Sequence, residues 1–138
     1  MVVGSGNLND PPGVNGLAHF CEHMLFLGTE RYPGEDTYSK TIASGGGSKN
    51  AATSEDYTQF YFDIKNETFA KALPIFAEFF KTPNFTESAT EREMNAVDSE
   101  FRKNLSNELR RLHQILKSEI SIDGCVIDRF STGNLASL

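Results

Sequence analysis

The sequence has 138 residues, a length that suits one domain and leaves little room for a second. Hydrophobic residues make up 38% of the chain, which is enough for a packed core and excludes intrinsic disorder as a class. The net charge of -6 comes without a basic patch and argues against nucleic acid as a partner, and no apolar run is long enough to cross a membrane.

Helical and extended patterns alternate along the chain, separated by clusters of glycine, proline and asparagine. The predicted elements, in chain order, are a strand end at residues 1–8, helices at 14–27 and 35–44, extended segments at 48–54 and 57–65, and helices at 67–81 and 87–118. Turns are predicted at Glu55-Asp56 and at Asp123-Gly124. This order predicts the α+β class, with helices packed on an antiparallel sheet.

Periodicity within these elements predicts which side chains are buried. In the segment 57–65, alternation places Phe60, Phe62 and Ile64 on one face of the strand. In the helix 67–81 the predicted apolar face is Phe69, Ala72, Leu73, Phe76, Phe79 and Phe80. In the helix 87–118, which Thr86 can cap, the predicted buried stripe is Val97, Phe101, Leu105, Leu112 and Leu116.

A candidate metal site lies in the helix 14–27, in the segment His19-Phe20-Cys21-Glu22-His23. At about 100° per residue, His23 falls about 40° from His19 and one turn along, so both imidazoles can reach one ion. Glu22 flanks the pair, where a carboxylate can take a proton from metal-bound water. A histidine pair on a helix is usually structural or exposed, but the order H-x-x-E-H is the inverzincin signature.

A third ligand is expected on a separate element, because catalytic zinc usually takes three protein ligands and keeps one position for water. The helix 87–118 offers Glu93 and Glu100, which are seven residues apart and nearly on one face. One could bind the metal while the other supports the site, and both could be ordinary solvent-facing glutamates. Spacing alone leaves this choice open.

Two other residues that could bind a metal, a cysteine and a histidine, are predicted to lie outside the site. Cys21 lies about 200° round the helix from His19, so the two side chains cannot reach one ion, and a packed or partly buried thiol is expected. His113 lies further along the helix 87–118, and we expect it to be exposed.

Five segments extend the pattern beyond this motif: residues 16–29 (GLAHFCEHMLFLGT), Tyr32-Pro33 followed by Tyr38-Ser39, residues 48–54 (SKNAATS), residues 92–100 (REMNAVDSE) and residues 130–134 (FSTGN). In order and spacing they resemble the insulin-degrading enzyme branch of the pitrilysin (insulinase) family of zinc metallopeptidases. The resemblance runs from about residue 4 to residue 134. It implies that residues 1–138 are part of an N-terminal catalytic domain of the insulinase type.

The resemblance also implies a role for each candidate residue. One zinc ion would be bound by His19, His23 and Glu100. Glu22 would be the general base that activates zinc-bound water. Glu93 would be an acidic catalytic partner near the site.

The activity implied by the resemblance is hydrolysis of peptide bonds in short polypeptides. Asn50 and Ala51 would present backbone groups to the peptide substrate, which would add to the sheet edge as a strand. Members of this branch are built as two halves, and the second half supplies an Arg and a Tyr that help to bind substrate. We therefore expect this chain to need a missing C-terminal half or partner domain and to be weakly active or inactive alone. Residues 120–127 depart from the family's segment, which is richer in proline and histidine.

Two alternatives to a peptidase remain. One is a non-catalytic peptide-binding or subunit-type module of the same fold, although all the predicted ligands are present. The other is a truncated product that does not fold stably, because its sheet leaves an edge open. The two cysteines, Cys21 and Cys125, make no disulfide framework, and no signal sequence is evident, so a cytoplasmic location is expected.

Overall fold

The computed structural model describes residues 1–122 and 125–138, so the turn predicted at Asp123-Gly124 lies outside the described residues. The elements are β1 (Val2–Val3), α1 (Leu17–Leu25), α2 (Thr37–Ser44), β2 (Ser48–Thr53), β3 (Thr58–Asp63), α3 (Asn66–Glu78), α4 (Glu87–Leu105) and α5 (Glu108–Ile120). Short 3₁₀ helices lie at Asn7–Asn9 and Val126–Asp128. The predicted α+β class is confirmed, and no helix in the described part of the chain could cross a membrane.

The three strands form one antiparallel sheet in the order β1-β3-β2. β2 and β3 pair along their full length, with Ala51 opposite Phe60. The backbone N–H of Ser54 donates to the carbonyl of Tyr57 over 2.8 Å and closes the hairpin at the predicted turn. Only β3 has partners on both sides, so β2 is an edge strand within the described residues.

Aromatic side chains form most of the core between the sheet, α2 and α3. Phe60 is buried on the inner face of β3, as its alternation predicts, and Tyr61 on the other face is exposed. Phe79 of the loop after α3 is almost fully buried, and its ring lies 4.8 Å from the ring of Tyr38 on α2. Burial of one such side chain contributes about 1.5–3 kcal/mol, so this cluster strongly stabilises the packing of α2 and α3 on the sheet.

The predicted apolar face of α3 is only partly buried. Ala72 and Phe76 pack in the core, but Phe69 and Leu73 are 45% and 44% exposed. Leu73 lies about 100° round the helix from Ala72. A three-stranded sheet therefore covers the Ala72 side and leaves the flank at Leu73 in solvent, which corrects the prediction for these two residues.

The single helix predicted over residues 87–118 is wrong, because the structure contains two helices that meet at Ser106-Asn107. The side chain of Asn107 accepts a hydrogen bond from the backbone N–H of Arg110 over 3.1 Å and starts α5 as its N-cap. Such residues favour caps over helix interiors, because their side chains compete for backbone hydrogen bonds.

The stripe predicted to be buried along this helix is also wrong at its C-terminal end. Val97 is fully buried and Phe101 is half-buried against Phe130, with ring centroids 5.5 Å apart. The remaining three members of the stripe are at least half exposed: Leu105, Leu112 and Leu116. The break at Ser106-Asn107 changes the direction of the chain, so one continuous face no longer meets the core.

Candidate metal centre

The start of α1 is fixed by Asp10 in the preceding loop and by Gly133 near the end of the chain. The carboxylate of Asp10 accepts hydrogen bonds from the backbone N–H groups of Gly16, over 2.7 Å, and Ala18, over 2.8 Å. Gly16 has a φ of +89°, and a Cβ at this position would lie 2.3 Å from Gly133. A left-handed residue that touches another backbone requires glycine here. The helix therefore begins at Leu17, three residues after the predicted start.

The C-terminal segment, residues 129–138, packs against this end of α1. The guanidinium of Arg129 donates to the carbonyl of Asp10 over 2.8 Å, and the hydroxyl of Ser137 donates to the carbonyl of Asn15 over 2.8 Å. The helix that carries the histidines is therefore held at its N-terminus by residues that lie more than 110 positions later in the chain.

The two imidazoles of α1 lie side by side, as their spacing predicts. The ring centroids of His19 and His23 are 4.7 Å apart. Glu100 of α4 completes the group, because its Oε2 lies 3.7 Å from the Nε2 of His19 and 3.7 Å from the Nε2 of His23. One ligand atom from each residue lies within 4.8 Å of the other two. The structure thus brings together the three residues for which metal binding is predicted.

The other ring nitrogen of each histidine has its own partner. The Nδ1–H of His19 donates to the carbonyl of Thr132 over 2.8 Å, and the Nδ1 of His23 lies 3.0 Å from the Oε2 of Glu93. These contacts orient both rings and leave both Nε2 atoms directed at Glu100. Glu93 and Glu100 therefore have different positions, a difference that their spacing could not show. Thr132 carries no sequence signal for this role beyond its place in residues 130–134.

The electrostatics of the group join His23 and Glu100 in one coupled pair. The carboxylate of Glu100, 3.7 Å away, raises the pKa of His23 above its ordinary value, and Glu93 adds to this effect while burial opposes it. The contact with His23 is in turn the main cause that lowers the pKa of Glu100. Protonation of His23 and metal binding to this ring therefore compete with each other.

The donor set and its spacing fit a zinc ion. Two histidines and one glutamate form a known ligand set of catalytic zinc. Zinc–ligand distances of about 2.0–2.1 Å in a tetrahedral site place ligand atoms about 3.3 Å from one another. The Nε2 atoms of His19 and His23 each lie 3.7 Å from Glu100, so a shift of less than about 1 Å along each of these contacts brings them to the zinc-bound spacing.

Glu22 lines the same cavity as the three candidate ligands without being one of the three. Its side chain is buried, and its Oε2 accepts a hydrogen bond from the hydroxyl of Thr53 over 2.6 Å. Thr53 also lies 3.3 Å from the hydroxyl of Thr58. The hairpin β2–β3 therefore fixes the orientation of this carboxylate, and sequence analysis had not assigned Thr53 to the site.

The cavity has a volume of about 330 Å³ and lies between α1, the edge strand β2 and the start of α5. Asn50 and Ala51, the predicted substrate-binding residues, both line it. Asn50 is exposed and Ala51 is buried, so the pair presents a small, open surface beside the candidate metal ligands. A peptide that reaches this edge of the sheet would lie within the same cavity as Glu22.

Cys21 and His113 lie outside the metal group, in line with their predicted lack of a ligand role. Cys21 is exposed and not packed, although partial burial of its thiol, the other predicted state, raises the pKa of Cys21. His113 is exposed, as predicted, and it lines a separate cavity formed largely by Phe101, Leu105 and Phe130.

Comparison with known proteins shows what this chain is similar to. The family model described as Insulinase (Peptidase family M16) matches residues 1–121. The chain is 48% identical to the insulin-degrading enzyme of Homo sapiens over 133 residues, which cover 96% of this chain and 13% of that protein. It is 41% identical to the A-factor-processing enzyme of Saccharomyces cerevisiae over 136 residues, 99% of this chain and 13% of that protein.

The fold is also similar to that of a solved structure. The crystal structure of pitrilysin superposes on the chain with a TM-score of 0.91 and 33% sequence identity, and the match covers 99% of this chain and 14% of that one. The chain thus spans about 13–14% of the length of these relatives.

Proposed function

This chain belongs to the insulinase family of peptidases, and from that premise we propose that it forms the zinc-binding part of a metalloendopeptidase that hydrolyses peptide bonds in short polypeptides. The observation that carries the proposal is the meeting of His19, His23 and Glu100, whose ligand atoms lie within 4.8 Å of one another although they come from two helices. An accidental surface cluster would not also have both remaining histidine nitrogens occupied by a carbonyl and a carboxylate.

The chemistry of the site divides between the metal and Glu22. Zinc, when bound, would lower the pKa of a water molecule and polarise the peptide carbonyl. Glu22 would accept the proton of the attacking water, and its hydrogen bond from Thr53 keeps one carboxylate oxygen occupied while the other is available. Glu93 would hold the ring of His23 in the orientation that directs Nε2 to the metal.

The peptide substrate would bind along the edge strand β2. An extended peptide can add to an exposed strand through backbone hydrogen bonds, while side-chain pockets set its specificity. Asn50 and Ala51 lie at this edge and in the cavity of the metal group, so a peptide paired there would bring a carbonyl close to Glu22. We also propose that a C-terminal half or partner domain completes the substrate chamber and that the chain alone has little activity.

The test measures zinc by elemental analysis and cleavage of a quenched fluorescent peptide by the purified, zinc-loaded chain. Glu22→Gln should keep its zinc and lose turnover by about 10²–10⁴-fold, which is the usual contribution of a general base. His19→Ala and Glu100→Ala should lose the metal. Cys21→Ser is the matched control, because Cys21 is adjacent to Glu22 but exposed on the other face of α1, and it should change neither quantity.

Each outcome decides a separate part of the proposal. A folded wild-type chain without zinc would refute the metal site. Equal turnover of wild type and Glu22→Gln would refute the role of the base. A folded, zinc-containing chain that cleaves no peptide, either alone or with the C-terminal half of a relative added, would refute hydrolysis and favour the non-catalytic module.

A further inference from the structure

The break between α4 and α5 brings a cation into the metal cavity. In one straight helix Arg110 would lie about 15 Å along the axis from Glu100, since each residue adds about 1.5 Å. With the break at Ser106-Asn107, both residues line the same cavity. The N-cap hydrogen bond from the backbone N–H of Arg110 to the side chain of Asn107 fixes the first turn of α5 in this position.

Arg110 is the only lysine or arginine among the described residues that line this cavity. In the described part of the chain no carboxylate oxygen lies within 4.0 Å of its guanidinium. A cation that lines the site and has no ion-pair partner can take a partner from the substrate.

We propose that Arg110 is a specificity-determining residue whose guanidinium binds a carboxylate of the peptide substrate beside the metal ligands. This inference rests on the proposed function. The cavity also contains Glu22 and Glu100, which would repel an acidic peptide, so a cation is needed for such a peptide to enter. A guanidinium can bind a carboxylate through two parallel hydrogen bonds, a geometry that neutral side chains cannot reproduce.

The position of Arg110 defines where the carboxylate lies. β2 forms one wall of the cavity and the first turn of α5 forms another. A peptide paired with β2 would therefore have Arg110 on the side that points away from β2. Arg110 also lines the adjoining cavity of about 280 Å³ that contains Phe101 and Phe130. The carboxylate can belong to an aspartate or glutamate side chain near the scissile bond or to the C-terminus of a short peptide.

The experiment measures peptide binding by fluorescence anisotropy, using the zinc-loaded chain with Glu22→Gln so that no peptide is consumed. One peptide pair differs only by aspartate or asparagine next to the central bond, and a second pair differs only by a free or amidated C-terminus. Arginine at position 110 should favour the acidic member of one pair by about fivefold, which is the upper range for a solvent-exposed ion pair. The pair that responds identifies the source of the carboxylate.

Variants of position 110 separate a charge contact from a structural role. R110Q should abolish the preference and leave the affinity for the neutral peptides unchanged, and R110K should keep part of the preference. K103Q is the matched control, because Lys103 is exposed at the end of α4 and outside the cavity, and it should keep the full preference. Equal binding of acidic and neutral peptides by the parent chain, or a preference that survives R110Q, would overturn the role of Arg110 alone. Failure of every peptide to bind would overturn the proposed function as well.

Discussion

Replacement of Glu93 by glutamine tests whether the carboxylate behind His23 supports metal binding. The Oε2 of Glu93 lies 3.0 Å from the Nδ1 of His23, and the Glu93 side chain is 22% exposed. Loss of such an outer partner typically weakens metal affinity 10–100-fold, which is about 1.4–2.7 kcal/mol. Glutamine can still accept the hydrogen bond through its amide oxygen, so Glu93→Gln should cost about tenfold, while Glu93→Ala should approach about 100-fold.

The same change should have a pH signature. After the nearby carboxylate of Glu100, Glu93 also raises the pKa of His23, so removal of Glu93 weakens the competition between proton and metal for this ring. The proton competes mainly when the pH falls towards the raised pKa of His23. The loss of zinc affinity in Glu93→Gln should therefore be larger at pH 8 than at pH 6.

The assay is a competition titration with a zinc-chelating dye at both pH values, with circular dichroism to confirm the fold. Glu91→Gln is the matched control, because Glu91 lies on the same helix with an exposed side chain. If Glu93→Gln changes zinc affinity by less than about twofold, as the control should, the contact between Glu93 and His23 does not support the metal site.

Three further perturbations test the core, the start of α1 and the titration of the site. Phe79→Ala removes a side chain that is 1% exposed and should lower the free energy of unfolding by about 3–5 kcal/mol, measured by urea denaturation. Gly16→Ala places a Cβ against Gly133 at a φ of +89°, so it should destabilise the chain by about 1–3 kcal/mol and also weaken zinc binding in the dye titration. In the metal-free chain, protonation of His23 should stabilise the fold fully below about pH 6.5, and this contribution should disappear as the pH rises through the raised pKa of His23. The measurement is the urea midpoint of unfolding as a function of pH. The same pH dependence in wild type and His23→Gln would contradict the prediction.

The sequence predicted the local part of the site and left the rest to the fold. His19 and His23 are one helical turn apart, so helical geometry alone places both imidazoles together. Glu93 and Glu100 lie on one face of α4, and their spacing could not show which of them reaches the Nε2 atoms. That difference depends on the angle and position at which α4 packs against α1. Packing between segments far apart in the chain determines both.

The helix break at Ser106-Asn107 has a sequence signal, the N-cap Asn107, but the apolar repeat around it favoured a continuous helix. Asparagine before a helical segment is a recognised N-cap, yet the apolar repeat through Leu105, Leu112 and Leu116 favoured one long helix. An apolar repeat predicts burial only when another element covers that face. These three leucines are at least half exposed.

Attachment of the C-terminal segment to α1 has a consequence for synthesis of the protein. The histidine helix leaves the ribosome early, but the carbonyl that orients His19 belongs to Thr132, and Gly133 packs on Gly16 at the foot of the same helix. A nascent chain that ends before these residues has both imidazoles but lacks the groups that fix the ring of His19. The proposed zinc site would therefore reach full affinity late, when almost the whole of this chain has been made.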